Sequence, residues 1–311
     1  MGNTEPLSFA SPGQAPRCLV TGATGYVGRR LVARLLARGA VVDAFVRPGS
    51  KTDVLPAGDG RLHIHCVADD TMDVIRHCKA IRPDIVFHLA SKFIAQHAVE
   101  DVRPLIDSNL LFGTRLLEGM AAAGTRFLVN VGTYWQHFED RDYEPANLYA
   151  ATKQAFEAIA LYHVRAHGLG MVNLHLFDTY GPGDPRPKLL QLLKRIARSG
   201  ERLAMSPGEQ KLDLVHIDDV LDAFETAGDR LLASRIEDPR TFAIRSGRSI
   251  SVRELVALFE RCTGTTLDIG WGERPYRARE VMLPWSQGLA LPGWQARIPL
   301  DTGIRQVWND V

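Results

Sequence analysis

The sequence is short of the features that mark several protein classes. Its four cysteines, Cys18, Cys66, Cys78 and Cys262, stand far apart with no Cys-x-x-Cys pair. That excludes a zinc knuckle or a dithiol redox centre and leaves buried free thiols as the plain reading. No run of about 18 apolar residues occurs, so there is no candidate membrane span. Neither sign of charge dominates: 37 Lys and Arg against 36 Asp and Glu leave +1, no field to draw in a nucleic-acid backbone or an anionic membrane. A small-molecule partner is therefore expected, with no nucleic acid and no membrane. Residues 1–16 are polar and rich in Pro, Gly and Ser, and lack the basic start and apolar stretch of a signal peptide. They are expected to form a flexible tail, and the expected address is cytoplasmic.

What is present is an ordinary globular composition, 45% hydrophobic and 23% charged, which argues against disorder and fibrous repeats. With 311 residues the chain can bury a large core as one big or two closely packed domains. From Arg17 onward, short apolar runs alternate with longer helical patterns. Strands are expected at 17–21, 41–46, 62–67, 85–90, 126–131 and 171–176, and helices at 28–37, 71–81, 104–123 and 148–167. This alternation predicts an α/β fold: a Rossmann-type doubly wound parallel sheet with a smaller C-terminal substrate-binding lobe. Residues 17–180 would form the dinucleotide-binding domain, with 212–245 returning to it. Residues 181–211 and 246–311, with a helix at 252–262, would form the lobe. Right-handed crossovers place the ligand crevice at the carboxyl ends of the strands, where the motifs below fall.

Directly after the first strand stands Thr21-Gly22-Ala23-Thr24-Gly25-Tyr26-Val27-Gly28, running into a helical pattern. Gly22 permits a tight turn, Gly25 lets backbone N–H groups approach a pyrophosphate, and Gly28 allows helix and strand to pack closely. The helix start adds a positive dipole end. At the tip of the second strand, an acid would favour a ribose 2′-hydroxyl and a cation a 2′-phosphate. Here stand Arg47, Ser50 and Lys51, while Asp43 lies further back inside the strand. Arg47 thus favours NADP(H), with NAD(H) as the alternative.

The second constellation is Tyr149-Ala150-Ala151-Thr152-Lys153. Residues four apart share a helix face, so phenol and ammonium can converge, and a nearby cation is expected to lower the tyrosine pKa and suit it to acid/base work. The fifth strand ends just upstream in Asn130-Val131-Gly132-Thr133. His63 and His65 share a strand face, but no third ligand stands at useful spacing and no metal site is expected.

The Gly-x-x-Gly-x-x-Gly spacing with the downstream Tyr-x-x-x-Lys pair resembles the extended short-chain dehydrogenase/reductases, in the NAD-dependent epimerase/dehydratase branch. Tyr180-Gly181-Pro182-Gly183 and the segment from Leu214 to Val220 resemble further landmarks of that branch, so the likeness runs from about Arg17 almost to Val311. The resemblance implies catalytic roles for Thr133, Tyr149 and Lys153. It places Gly22, Gly25, Tyr26, Val27, Gly28, Asp69, Leu89, Ala90, Ser91, Asn109 and Lys153, together with Arg47, at the cofactor. It also implies a homodimer.

Relatives that dehydrate sugars carry an Asp-Glu pair directly after the Ser/Thr position, where this chain has Tyr134 and Trp135. The segments 132–138 and 147–153 look most like reductases of NDP-4-keto-6-deoxyhexoses, the group of CDP-abequose and CDP-paratose synthases. That implies an NADPH-dependent 4-ketoreductase of deoxysugar biosynthesis acting on a nucleotide sugar. The alternatives are an epimerase that retains NAD(H) and a non-catalytic NADP(H) sensor. Tyr134 and Trp135 become candidate substrate contacts. So does Asp178, although many relatives carry Asn there and a carboxylate repels phosphate unless protonated or paired. Arg277 is the better candidate for the diphosphate.

Overall fold

In a computed structural model, which describes residues 15–233 and 239–310, seven strands form one parallel sheet. Residues 1–14 of the expected tail lie outside the described residues. The strands are β1 (Arg17–Thr21), β2 (Val41–Val46), β3 (Leu62–Cys66), β4 (Ile85–His88), β5 (Phe127–Thr133), β6 (Gly170–Leu176) and β10 (Arg240–Ile244), in the order β10-β6-β5-β4-β1-β2-β3. Between β1 and β4 the order reverses direction, which opens a crevice at their carboxyl ends.

The central strands are buried on both faces, as their continuous apolar runs require. Successive side chains point to opposite sides. Val20, Phe87 and Val129 thus pack under α1 (Tyr26–Ala37) and α7 (Ile217–Leu232). Leu19, Val86 and Leu128 pack under α2 (Thr71–Ile81), α4 (Phe112–Ala123) and α5 (Leu148–His167). α7 is laced to α1 by Arg34 on Asp222 at 2.8 Å and Arg38 on Asp229 at 3.0 Å.

The second lobe has its own core of Leu193, Leu214, Leu255, Phe259, Ile304 and Val307. It holds β7 (Asp178–Tyr180), α6 (Leu189–Ser199), β8 (Leu203–Met205), β9 (Lys211–His216), β11 (Ser249–Ser251), α8 (Val252–Thr263), β12 (Ile269–Trp271) and α9 (Leu300–Asn309). Of the segment 212–245, α7 and β10 return to the main sheet, but β9 does not. It pairs with β7 and β11 in a separate three-stranded sheet, which also takes residues 178–180 from the nucleotide-binding side of the expected boundary.

The helix expected over 104–123 is also corrected. α3 (Val102–Ile106) runs into a widened π turn at Asp107–Leu111 before α4 continues. The cause lies in Asn109, a polar residue that is 1% exposed and turned inward to make hydrogen bonds. Such π turns often stand at functional sites.

Candidate active site

The first turn of α1 has neither a side-chain cap nor an acidic residue, and its flanking glycines are sterically fixed. Gly22 has φ +68°, and a Cβ there would stand 2.7 Å from the Ala90 nitrogen; a Cβ on Gly28 would fall on the Gly22 carbonyl. Bare backbone N–H groups at a helix start beside glycine-cleared space suit a dinucleotide's phosphates. Only the backbones of Tyr26 and Val27 can serve there. The Tyr26 ring is buried at the junction of the lobes, with its hydroxyl donating to the Pro182 carbonyl at 3.1 Å.

Thr21 ties this turn to the loop after β4. Its Oγ1 accepts from Ala90 N at 3.2 Å and lies 2.8 Å from His88 Nδ1. Leu89, Ala90 and Ser91 are thereby held beside the crevice. Asn109 is corrected from a contact to a positioning residue, because its amide is used up within the chain. It accepts from Lys92 N at 2.7 Å and Ser91 Oγ at 3.1 Å, and donates to Lys92 O at 3.0 Å and Thr152 Oγ1 at 2.9 Å. The loop after β4 is thus pinned to α5.

Thr133 ends β5, and Tyr149 and Lys153 lie one turn apart on α5, all three buried. Asn147 starts α5 by capping Ala150 N at 2.9 Å. Thr133 Oγ1 accepts from Trp135 N at 3.3 Å, which leaves its proton free to donate. The expected low tyrosine pKa is overturned: burial pushes Tyr149 up to about 12, and the Ser91 hydroxyl and Arg186 charge only partly oppose it. Lys153 is not among the groups that oppose this rise, and its own ammonium is pushed down to about 8 by burial against the pull of Glu157. Among the described residues no group hydrogen-bonds this ammonium, so its donors remain for a ligand.

The front of the site is aromatic and cationic. Phe93 has its ring centroid 5.0 Å from that of Tyr149 and 5.6 Å from that of Trp135, with Lys188 Nζ 4.6 Å from its centroid. Tyr134 stacks on Phe177 at 4.7 Å and donates to Asp178 Oδ2 at 2.8 Å, so its hydroxyl is spent and only Trp135 keeps an open face. Burial raises the Asp178 carboxyl, opposed by Lys188, the Tyr134 hydrogen bond, Arg277 and Arg186. Asp178 is therefore paired through Tyr134; of the cations near it, Arg186 also pairs with Asp184 at 2.7 Å and Arg277 with Glu280 at 3.3 Å. The segment bearing Arg277 is clamped over the site by Arg279 on Glu144 at 2.6 Å and Ser286 N on Asp140 at 2.6 Å.

At the far end, Arg47 is exposed beyond β2 and has no ion-pair partner among the described residues. Asp43 is engaged by Arg17 at 2.7 Å and His65 at 2.7 Å, so it cannot face a ribose. Asp69 is exposed and pairs with Arg115. Phe93, Arg186, Lys188, Gln136 and Glu157 escaped sequence reasoning. Only the run Pro182–Lys188, dense in Pro, Gly and charge directly after a recognised landmark, carried a signal for two of them.

The glycine turn, the pinned loop after β4 and the Thr133–Tyr149–Lys153 group lie at the carboxyl ends of the sheet strands, and the chain as a whole is similar to known proteins. CDP-abequose synthase of Yersinia pseudotuberculosis is 27% identical over 272 residues, covering 86% of this chain and 91% of that one. UDP-glucose 4-epimerase of Mycolicibacterium smegmatis is 27% identical over 309 residues, covering 93% and 96%. In fold, the structure of UDP-glucose 4-epimerase of Thermus thermophilus, a complex with NAD, superposes with a TM-score of 0.79 at 24% identity over 94% of this chain and 98% of that one. The model of the NAD dependent epimerase/dehydratase family matches residues 18–240, from the first strand through the return to the sheet edge, and the chain belongs to that family.

Proposed function

We propose that the protein is a nucleotide-sugar enzyme that reduces the 4-keto group of a nucleoside-diphosphate 4-keto-6-deoxyhexose with NADPH. The observation that carries this reading is the buried Tyr149 phenol in one group with Thr133 and Lys153, with no carboxylate among Tyr134, Trp135 and Gln136 to drive an elimination. A bound nicotinamide supplies the hydride. Thr133 donates a hydrogen bond through its free O–H to the carbonyl oxygen and polarises it, keeping its own proton. Tyr149 gives its proton to the oxygen as the C4–H bond forms, which turns ketone, hydride and proton into an alcohol. Lys153 holds the cofactor ribose with its unused donors, and Lys188 and Arg277 hold the diphosphate. Arg47 takes the 2′-phosphate.

Similarity to the CDP-abequose synthases supports reduction, and equal identity to the mycobacterial UDP-glucose 4-epimerase supports a second reading, epimerisation with retained NAD(H). The two separate in one assay. Purified protein is given NADPH or NADH with CDP- or dTDP-linked 4-keto-6-deoxyhexoses, absorbance is followed at the reduced-nicotinamide band, and products are identified by NMR. Stoichiometric NADPH loss with a 4-hydroxy product is expected. An isomerised sugar without net oxidation refutes the reductase.

A further inference from the structure

Behind the candidate site, α5 buries a second charge. Glu157 is 8% exposed and stands one helical turn from Lys153 on the same face. Its Oε1 accepts from His175 Nε2 on β6 at 2.8 Å and from Gln136 Nε2 at 3.1 Å. Gln136 in turn accepts from Thr133 N through Oε1 at 2.9 Å and donates to Gln154 Oε1 at 2.7 Å. Behind His175, His137 Nε2 lies 2.9 Å from His175 Nδ1, and His137 Nδ1 lies 3.0 Å from the Arg141 carbonyl. A carbonyl only accepts, so His137 donates there through Nδ1. The His137 ring is stacked 3.6 Å from Trp285, which caps the network from the clamped segment. A Cβ on Gly132 would strike the His175 ring and come within 2.8 Å of Gln136 Oε1, so β5 has room for this network only with glycine there.

We propose that Glu157 is a positioning residue for the reaction, acting as the buried counter-charge of Lys153 and, through Gln136, as the anchor that fixes Thr133 relative to α5. The inference rests on the reading of Thr133, Tyr149 and Lys153 as the reacting group; it does not depend on which sugar is bound. Burial pushes the Glu157 carboxyl up, yet the facing His175, its hydrogen bond, the Gln136 amide and the Lys153 charge bring it below its ordinary value. Other titratable groups facing this region are Tyr149 on α5, His88 on β4, held neutral at about 3 by burial and by Lys153, and His137, held at about 4 by burial. None of these is an anion at neutral pH, so Glu157 carries the counter-charge.

The test has two arms. In the first, NADPH affinity is measured by fluorescence from pH 6 to 10, with no sugar present, for wild type, Glu157→Gln and Glu157→Asp. Affinity weakens as Lys153 loses its proton. Without the counter-charge, this alkaline limb is expected to move down by about one pH unit in Glu157→Gln, while Glu157→Asp keeps the charge and stays near wild type. In the second arm, Gln136→Met removes the Thr133 anchor. It is expected to lower kcat on the order of 10- to 100-fold with NADPH affinity unchanged. A folded Glu157→Gln whose limb coincides with wild type, a Glu157→Asp limb displaced as far as that of Glu157→Gln, or a folded Gln136→Met with wild-type kcat overturns the proposal. Because the first arm uses NADPH alone, failure of the sugar assignment leaves its outcome readable.

Discussion

Replacing Lys153 by methionine should abolish turnover and yet make the cofactor-free protein more stable. The side chain is 2% exposed, and its ammonium falls from the ordinary 10.5 to about 8, chiefly because burial strips its water. At about 1.36 kcal/mol per pH unit, that fall amounts to about 3 kcal/mol charged against the fold at pH 7. The sign follows from the order of the two values: the folded pKa lies below the unfolded one. The cost is therefore present in full below about pH 8, is relieved as pH rises, and is gone above about 10.5. Methionine matches the stem and carries no charge. Glu157 loses its helix neighbour but keeps its hydrogen bonds from His175 and Gln136, which returns part of the gain. The expected net is about 1–3 kcal/mol of added stability at pH 7, read as a higher urea midpoint with an unchanged m value. At pH 10 the gap to wild type should have narrowed. A variant less stable than wild type at pH 7, or a gap that does not change with pH, refutes the reasoning.

Other substitutions separate the remaining roles. Tyr149→Phe should lower kcat by about 10²- to 10⁴-fold with NADPH affinity within about twofold of wild type, checked by turnover and fluorescence titration. Arg47→Ala should weaken NADPH by roughly 10- to 100-fold and leave NADH unchanged, read as two dissociation constants. Asn109→Ala deletes the four bonds that pin the loop after β4 and should cost about 2–3 kcal/mol. Amide exchange should then quicken at residues 89–93 in particular.

Periodicity made the core of the fold legible. Strands at 17–21 and 41–46 and helices at 71–81 and 148–167 coincide with the expected bounds, because apolar runs and 3.6-residue patterns are local properties of the chain. What periodicity cannot carry is pairing partner. The segment 212–245 is expected to return to the main domain as a whole, and only tertiary contacts assign β9 to the small sheet. The π turn at Asp107–Leu111 was illegible for a related reason, since it serves an asparagine whose partners are distant in sequence. At the site, glycine spacing and the Tyr-x-x-x-Lys pair were readable as motifs. The phenol's pKa was misjudged, because spacing reveals that a cation is near and not that both groups are dry. Phe93 and Lys188 converge on Tyr149 from separate loops, a meeting that no one-dimensional pattern encodes.

The late return of β10 has a consequence for how the protein is made. β6 forms the edge of the sheet until its partner emerges, and Arg240 pairs with Val172, roughly 70 residues later and so ~4–14 s behind at ~5–20 residues per second. Through that interval a ribosome-bound chain presents β6, whose residues from Met171 to His175 end up buried, with one ladder of hydrogen bonds unmade. The nascent protein thus passes through a window in which another chain's strand can take the place of β10. Holdase binding during translation should be strongest between the synthesis of residues 176 and 244, and a stop codon placed in that window should yield an aggregating fragment.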